Sequence, residues 1–274
     1  MGCGGQQLSR QHTTIMRQAI SRHLDPKGSV CVSTFAREYP REFVVREHAH
    51  GSDQLIYATR GVMNVSSGQS LWVIPPHFGL WIPATVRHQI RMPEPVSMRT
   101  LYVRSGLAGL RSACTVLHTR GLLREIIMEI VRLGRLRKDQ RVERALCDVL
   151  LSELKRAPAM PTAIELPLDR RALAVARAVI DKPAVDTSLE ELCAAAGVSV
   201  RTLERIYRRE IGTDFESWRI QWRLMKAIEM LVAGGTVEAV ACAVGYRHPG
   251  AFSTLFRKRF GTAPRAWVRA LGRL

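Results

Sequence analysis

A chain of 274 residues, 46% apolar and 24% charged, is long enough for two packed domains and too apolar for a disordered polymer. It has no apolar run of the roughly 18 residues or more that a membrane span needs. The net charge of +17 favours a polyanionic partner without locating it: 18 basic and 12 acidic residues lie from Glu165 onward, against 23 and 12 before it.

The start, Met1-Gly2-Cys3-Gly4-Gly5, lacks the basic and apolar regions of a secretory signal, and Gln6 stands where a myristoylation motif has Ser or Thr. A cytoplasmic protein with no membrane association is expected. Six cysteines at 3, 31, 114, 147, 193 and 242 form no C-x-x-C pair. Cys193 and Cys242 fall in helical stripes, so reduced and mostly buried thiols are expected, not disulfides or a zinc site.

Residues 1–27 are rich in Gln, Gly and Ser with no stable period, and read as a polar tail. After Pro26-Lys27-Gly28 come short apolar runs: Val30–Phe35, Phe43–Glu47, Leu55–Ala58, Val62–Val65, Leu71–Ile74, His88–Met92 and Met98–Val103. Turn signals separate them, among them Thr59-Arg60-Gly61, Ser66-Ser67-Gly68 and Pro75-Pro76. Short strands at near-even spacing predict a small β-barrel or sandwich over residues 28–105. Trp72, Phe78 and Trp81 fit its wall as packing residues.

Within it lies His48-Ala49-His50, followed by Gln54, with His88 on a later strand. Residues two apart on a strand share a face, so His48 and His50 would line one side, where His88 could join them. Two readings stay open: a histidine-lined effector cavity, or a divalent metal site at His48, His50 and His88. Imidazoles suit Zn, Ni, Fe or Cu, but the amide of Gln54 is a poorer ligand than a carboxylate. Over Val44 to Ile90 the pattern resembles the first and second cupin motifs, with Gln54 where metal-binding cupins place Glu.

From Thr119 to Ala157 the period turns helical. Leu122, Leu123, Ile126, Ile127, Ile130, Val131 and Leu133 form one stripe; Val142, Leu146, Val149, Leu150 and Leu154 form another. This region, 106–157, suits a dimer interface or a docking surface, and packing within the chain is the competing reading. Ala157-Pro158-Ala159-Met160-Pro161-Thr162 reads as a linker, and Leu168–Ile180 as the first helix of a second domain, 165–274.

That second domain contains one unit written twice. Leu189-Glu190-Glu191-Leu192-Cys193-Ala194-Ala195-Ala196-Gly197 answers to Val237-Glu238-Ala239-Val240-Ala241-Cys242-Ala243-Val244-Gly245, 48 residues on. Past one inserted residue, Leu203, Tyr207, Gly212 and Trp218 answer to Phe252, Phe256, Gly261 and Trp267, 49 residues on. Each copy (189–212 and 237–261) predicts helix, turn, helix. Thr187 to Glu190 has the spacing of a capping box, Gly197 ends the first helix, and Ser199 can cap the second. Leu203, Ile206 and Tyr207 face inward; Arg201, Thr202, Arg205 and Arg208 face outward. Such a helix fits the major groove of double-stranded DNA, where Arg pairs with guanine and Thr meets either a hydrogen-bonding edge or a thymine methyl. In the second copy His248 takes the cap and Pro249 the first helical position. Gly250, Ser253, Thr254 and Arg257 lie outward, followed by Lys258 and Arg259, a set richer in phosphate partners than in base readers. Between the copies, Phe215, Trp218, Trp222, Met225, Ile228 and Val232 predict a helix over roughly Asp214–Ala233, about 30 Å long and close to one DNA turn.

The series Leu203…Tyr207…Gly212…Trp218, then Gly245-Tyr246…Pro249…Ala251-Phe252…Phe256-Arg257…Phe260-Gly261…Pro264, resembles the C-terminal domain of AraC/XylS-type bacterial transcription regulators. Arg247, His248 and Gly250 depart from the serines common around that family's second turn. Many of these regulators carry a cupin-like sensor in front, as the histidine motif suggests here. The resemblance implies a non-enzymatic homodimer that binds direct-repeat operator DNA, contacts RNA polymerase and answers to a small-molecule effector. The fold expected is α+β in two domains: a cupin-like β-barrel or sandwich with a helical linker, then an all-α domain with two helix-turn-helix modules. The competing function is a metal-dependent cupin enzyme fused to a DNA-binding domain. A non-specific architectural DNA binder is a third reading.

Overall fold

The computed structural model describes residues 25–107, 109, 112–119, 121–160, 163–183 and 187–272. Most of the tail expected over residues 1–27, and Cys3, therefore lie outside the described residues. The chain divides into two units, residues 1–63 with 76–161, and residues 64–75 with 162–274. None of the described helices is long and apolar enough to cross a membrane.

The first unit is built on an antiparallel seven-stranded sheet. Its strands are β1 (Val30–Tyr39), β3 (Asp53–Arg60), β6 (Phe78–Ile82), β8 (Val96–Val103), β9 (Thr115–His118), β10 (Arg135–Arg137) and β11 (Ala159–Met160), in the order β10-β1-β8-β3-β6-β9-β11. β2 (Phe43–His48) and β7 (His88–Met92) pair with each other in a second sheet. Among the described residues neither sheet closes, so the barrel alternative falls and the sheet-rich domain remains. β6 escaped the period-2 reading because all five of its residues are buried, leaving a run without alternation. Phe78 and Trp81 are thus core strand residues.

Alternation decides what each face of the large sheet meets. Leu55, Tyr57, Leu101 and Val103 point to one side, where they share a core with α1 (Leu122–Leu133) and α2 (Arg141–Arg156) through Leu123, Ile126, Ile127, Ile130, Leu150 and Leu154. Each of these large side chains contributes roughly 1.5–3 kcal/mol by leaving water. The helical region is therefore a layer on the sheet. Gln54, Thr100 and Tyr102 take the opposite face, and all three are buried. Part of the expected linker is also sheet: Ala159 and Met160 pair with Leu117 and Val116 of β9.

The second unit comprises α3 (Arg170–Asp181), α4 (Leu189–Ala195), α5 (Val200–Glu210), α6 (Phe215–Val232), α7 (Val237–Ala243), α8 (Pro249–Phe260) and α9 (Pro264–Gly272). With them go residues 64–75, which hold most of β4 (Met63–Ser67) and all of β5 (Ser70–Ile74). β12 (Ala163–Glu165) pairs with β5, and α6 fastens it: Trp218 Nε1 donates to Glu165 O at 2.8 Å, and Gln221 Nε2 to Ala163 O at 2.7 Å. Cys193 is buried as expected, but Cys242 is exposed. Val237, Val240, Ala241 and Val244 take the inward face of α7, which turns residue 242 outward.

Candidate DNA interface and histidine site

The first helix-turn-helix starts from a capping box one residue later than the sequence suggests. Ser188 Oγ accepts from Glu191 N at 3.2 Å, and Glu191 Oε2 accepts from Ser188 N at 2.9 Å. Ser and Glu hold the same i, i+3 spacing as Thr187 and Glu190, so the register was ambiguous in sequence. At the turn, Gly197 has φ +65° and Val198 is buried. Ser199 then caps α5: its Oγ accepts from Thr202 N at 3.2 Å and its hydroxyl donates to Thr202 Oγ1 at 2.9 Å. The Ser199 hydroxyl is thereby committed to the cap. Leu203, Ile206 and Tyr207 are at most 2% exposed, so they lock the helix by its inner face. Arg201, Arg205 and Arg208 are exposed and form no salt bridge with a described residue. Arg209, next in line, pairs with Glu210.

The second module repeats the plan with different chemistry. Thr236 caps α7 through Ala239 N at 3.2 Å. Its turn residue Gly245 has φ +86°, and a Cβ there would lie 2.8 Å from the Arg223 guanidinium. Arg223 reaches this turn from α6, lies 6.0 Å from the Tyr246 ring centre and donates Nε to Pro183 O at 3.1 Å. His248 occupies the cap position of α8 without a side-chain cap bond, and Pro249 follows at the first helical position. Gly250, Thr254, Arg257 and Lys258 are exposed and Ser253 is half-buried. Phe252 and Phe256 are fully buried, with Phe256 against Phe260 at 4.6 Å and Trp267 at 5.8 Å. Tyr207 against Phe215 and Trp218, at 5.2 and 5.5 Å, is the matching cluster in the first copy. The duplication thus reaches into α6 and α9. Helix α6 touches both modules through α5, α7 and α9.

In the first unit, register brings the histidines together. His48 and His88 face each other across β2 and β7, with ring centres 4.4 Å apart. His50 lies just past the end of β2, 5.2 Å from His88 and 5.1 Å edge-on to Tyr102. One ring nitrogen from each histidine lies within 4.8 Å of those of the other two. The Nδ1 atoms of His48, His50 and His88 donate to the carbonyls of Arg46, Ser52 and Val86 at 2.8, 2.8 and 3.0 Å. This assigns the proton to Nδ1 and turns each Nε2 toward the others. Burial lowers the His48 imidazole below its ordinary range and pushes His88 down to about 3, so His88 is neutral at physiological pH. Its Nε2 is buried without a described hydrogen-bond partner.

Gln54 completes the group from β3. Its Oε1 lies 2.7 Å from His50 Nε2, while its Nε2 donates to Thr100 Oγ1 at 3.0 Å. Thr100 in turn donates to Leu55 O at 2.9 Å, which makes its oxygen an acceptor toward Gln54. All four sequence-selected residues therefore meet, between β2–β7 and the large sheet instead of inside a barrel. Thr100 and Tyr102 were missed because nothing in sequence marks a threonine or tyrosine on a distant strand as a histidine's neighbour. Asp25 was missed too, though its carboxylate accepts from Gly51 N and Ser52 N at 3.1 Å each and pins the His50 loop.

Two helix-turn-helix modules with cationic outer faces, accompanied by a sheet domain holding a buried polar cluster, define a DNA-binding regulator with its own ligand-binding domain. Residues 31–155 match the AraC-like ligand binding domain and residues 192–270 the helix-turn-helix domain. The chain is 27% identical over 224 residues to the HTH-type transcriptional regulator NimR of Escherichia coli K12, covering 82% of each protein. It is 36% identical over 109 residues to the HTH-type transcriptional regulator RipA of Corynebacterium glutamicum, 40% of this chain and 32% of that one. The structure of ToxT from Vibrio cholerae O395 aligns over 89% of this chain and 99% of that chain, at 12% identity and a TM-score of 0.39, too low to bear on function. The chain thus joins an AraC-like ligand binding domain to a helix-turn-helix domain, and the relatives it resembles are HTH-type transcriptional regulators.

Proposed function

We propose that this regulator reads its operator chiefly through α5, with Arg201, Thr202, Arg205 and Arg208 against the major groove. Ser199 supports them as the cap, and His248, Gly250, Ser253, Thr254 and Arg257 of the second module make mainly backbone contacts. What carries this reading is that Arg201, Arg205 and Arg208 stand exposed, with no salt bridge to a described residue, on a helix locked by its inner face. Desolvating them against DNA breaks no ion pair with a described residue. A gel-shift series on the promoter beside its own coding region tests it. Retardation of one fragment over scrambled duplex is expected; no preference for any fragment sinks it.

The protein acts in the cytoplasm as a homodimer through α1 and α2, where Leu122, Val142 and Val149 are 55%, 71% and 40% exposed. On DNA it contacts RNA polymerase. A small-molecule effector in the first unit shifts the population between DNA-competent and incompetent arrangements. The histidine cluster would hold a divalent transition metal as part of that effector site. The residues fit one: three Nδ1-tethered rings converge, and His88 Nε2 is an orphaned buried acceptor that a cation would satisfy. Such an ion would supply a fixed positive charge for the effector. The same cluster favours the second reading, a metal-dependent enzyme in the first unit. Metal-free protein with undiminished operator binding would remove that alternative.

A further inference from the structure

With the His50 ring in its neutral form, the contact between His50 Nε2 and Gln54 Oε1 sets two acceptors face to face at 2.7 Å. In that form the one ring proton is spent from Nδ1 on Ser52 O and Nε2 carries the lone pair. Gln54 is held in its orientation by Thr100, whose own proton goes to Leu55 O. Turning the amide over would break that chain. A second proton on His50 would serve Gln54 alone and leave His88 Nε2 with nothing. A cation answers both vacancies at once, and it would also meet His48. Its four protein donors would then be three imidazole nitrogens and one amide oxygen, a set that suits a divalent transition metal.

That donor set lacks an anion. Among the described residues no carboxylate joins the three ring nitrogens, and Asp25 is spent on Gly51 and Ser52. His50, Gln54 and His88 are 6%, 1% and 0% exposed, so the ion's two positive charges would sit out of water without a partner. Buried charge of that kind is stable only when paired. Resting on the metal reading above, we infer that the effector is a small carboxylate-bearing molecule whose carboxylate completes the coordination that Gln54 leaves uncharged. His48, the one partly exposed member of the four, marks the side from which it enters.

Cobalt(II) and acetate test this on the full-length protein stripped with chelator, followed by visible absorption. Wild type is expected to bind one equivalent of Co2+. Acetate should change the d–d spectrum and tighten Co2+ binding roughly tenfold, whereas perchlorate at equal ionic strength should not. Gln54→Glu builds the missing carboxylate in. That variant should bind Co2+ about 10–100-fold more tightly and lose its response to acetate. His88→Gln should bind no Co2+ while keeping wild-type circular dichroism. If folded wild type takes up no Co2+, the metal reading fails and this inference with it. If Co2+ binds but acetate changes nothing, or Gln54→Glu responds to acetate as wild type does, the carboxylate inference alone is overturned.

Discussion

At the scale of single residues, three side chains carry most of what can be tested. Arg201→Ala and Arg205→Ala should each lose about 1–3 kcal/mol of operator affinity and relax the preference for operator over scrambled duplex, measured by competition gel shift. Arg257→Ala should weaken binding to every sequence alike and lower the slope of log affinity against log salt by about 1. Equal loss of specificity in all three variants would refute the division of labour between the modules. Gly245→Ala should cost about 1–2 kcal/mol of stability by thermal or denaturant unfolding, since φ is +86° and the new methyl meets the Arg223 guanidinium. The histidines and Gln54 were legible because their spacing is itself a motif. Thr100, Tyr102 and Asp25 were not, because only strand pairing, and for Asp25 a loop contact, brings positions some 25 to 50 residues away to this cluster.

At the scale of elements, caps decide where helices begin. Helix α3 starts at Asp169, whose carboxylate accepts from Arg171 N and Ala172 N at 2.9 and 3.3 Å. The Arg171 guanidinium first, then these backbone donors, hold the carboxyl down at about 2, against an ordinary 3.8. A depressed carboxylate contributes its full stability above pH 3.8 and loses it as pH falls from there toward 2. Asp169→Asn keeps the cap without the titration. Its unfolding free energy should therefore vary with pH less steeply than wild type over that window, by about 1 kcal/mol in total. The helices of both modules were readable from repeat and period. The capping box was misplaced by one residue because Thr187-Ser188 and Glu190-Glu191 present the same i, i+3 pattern twice. Fully buried β6 shows the opposite failure, a strand without alternation to reveal it.

For the molecule as a whole, the exposed apolar residues of α1 and α2 set the expected assembly. Val142→Asp with Val149→Asp should leave folding intact, since the two are 71% and 40% exposed, and yield a monomer in sedimentation. A double variant that still sediments as a dimer would place the interface elsewhere. The charge balance belongs at this scale as well. A net charge of +17 spread over both halves says only that a polyanion is welcome. The duplicated module is what turns that into a reading of DNA.

Sequence alone determined the regulator: a repeat of nearly fifty residues, with glycines at its turns and aromatics at its inner positions, encodes two local units whose contacts span few residues. Local hydrogen bonds and helical period carry that information, and both are written in adjacent letters. Tertiary structure decided what lies far apart in the chain. It settled the expected barrel or sandwich as two open sheets, laid α1 and α2 on one face of the larger, drew residues 64–75 into the unit of the DNA-binding helices, and set Gln54 against His50 with Thr100 behind it. Those outcomes depend on strand register and on which faces find apolar cover, and neither is settled by any one segment before the others are in place.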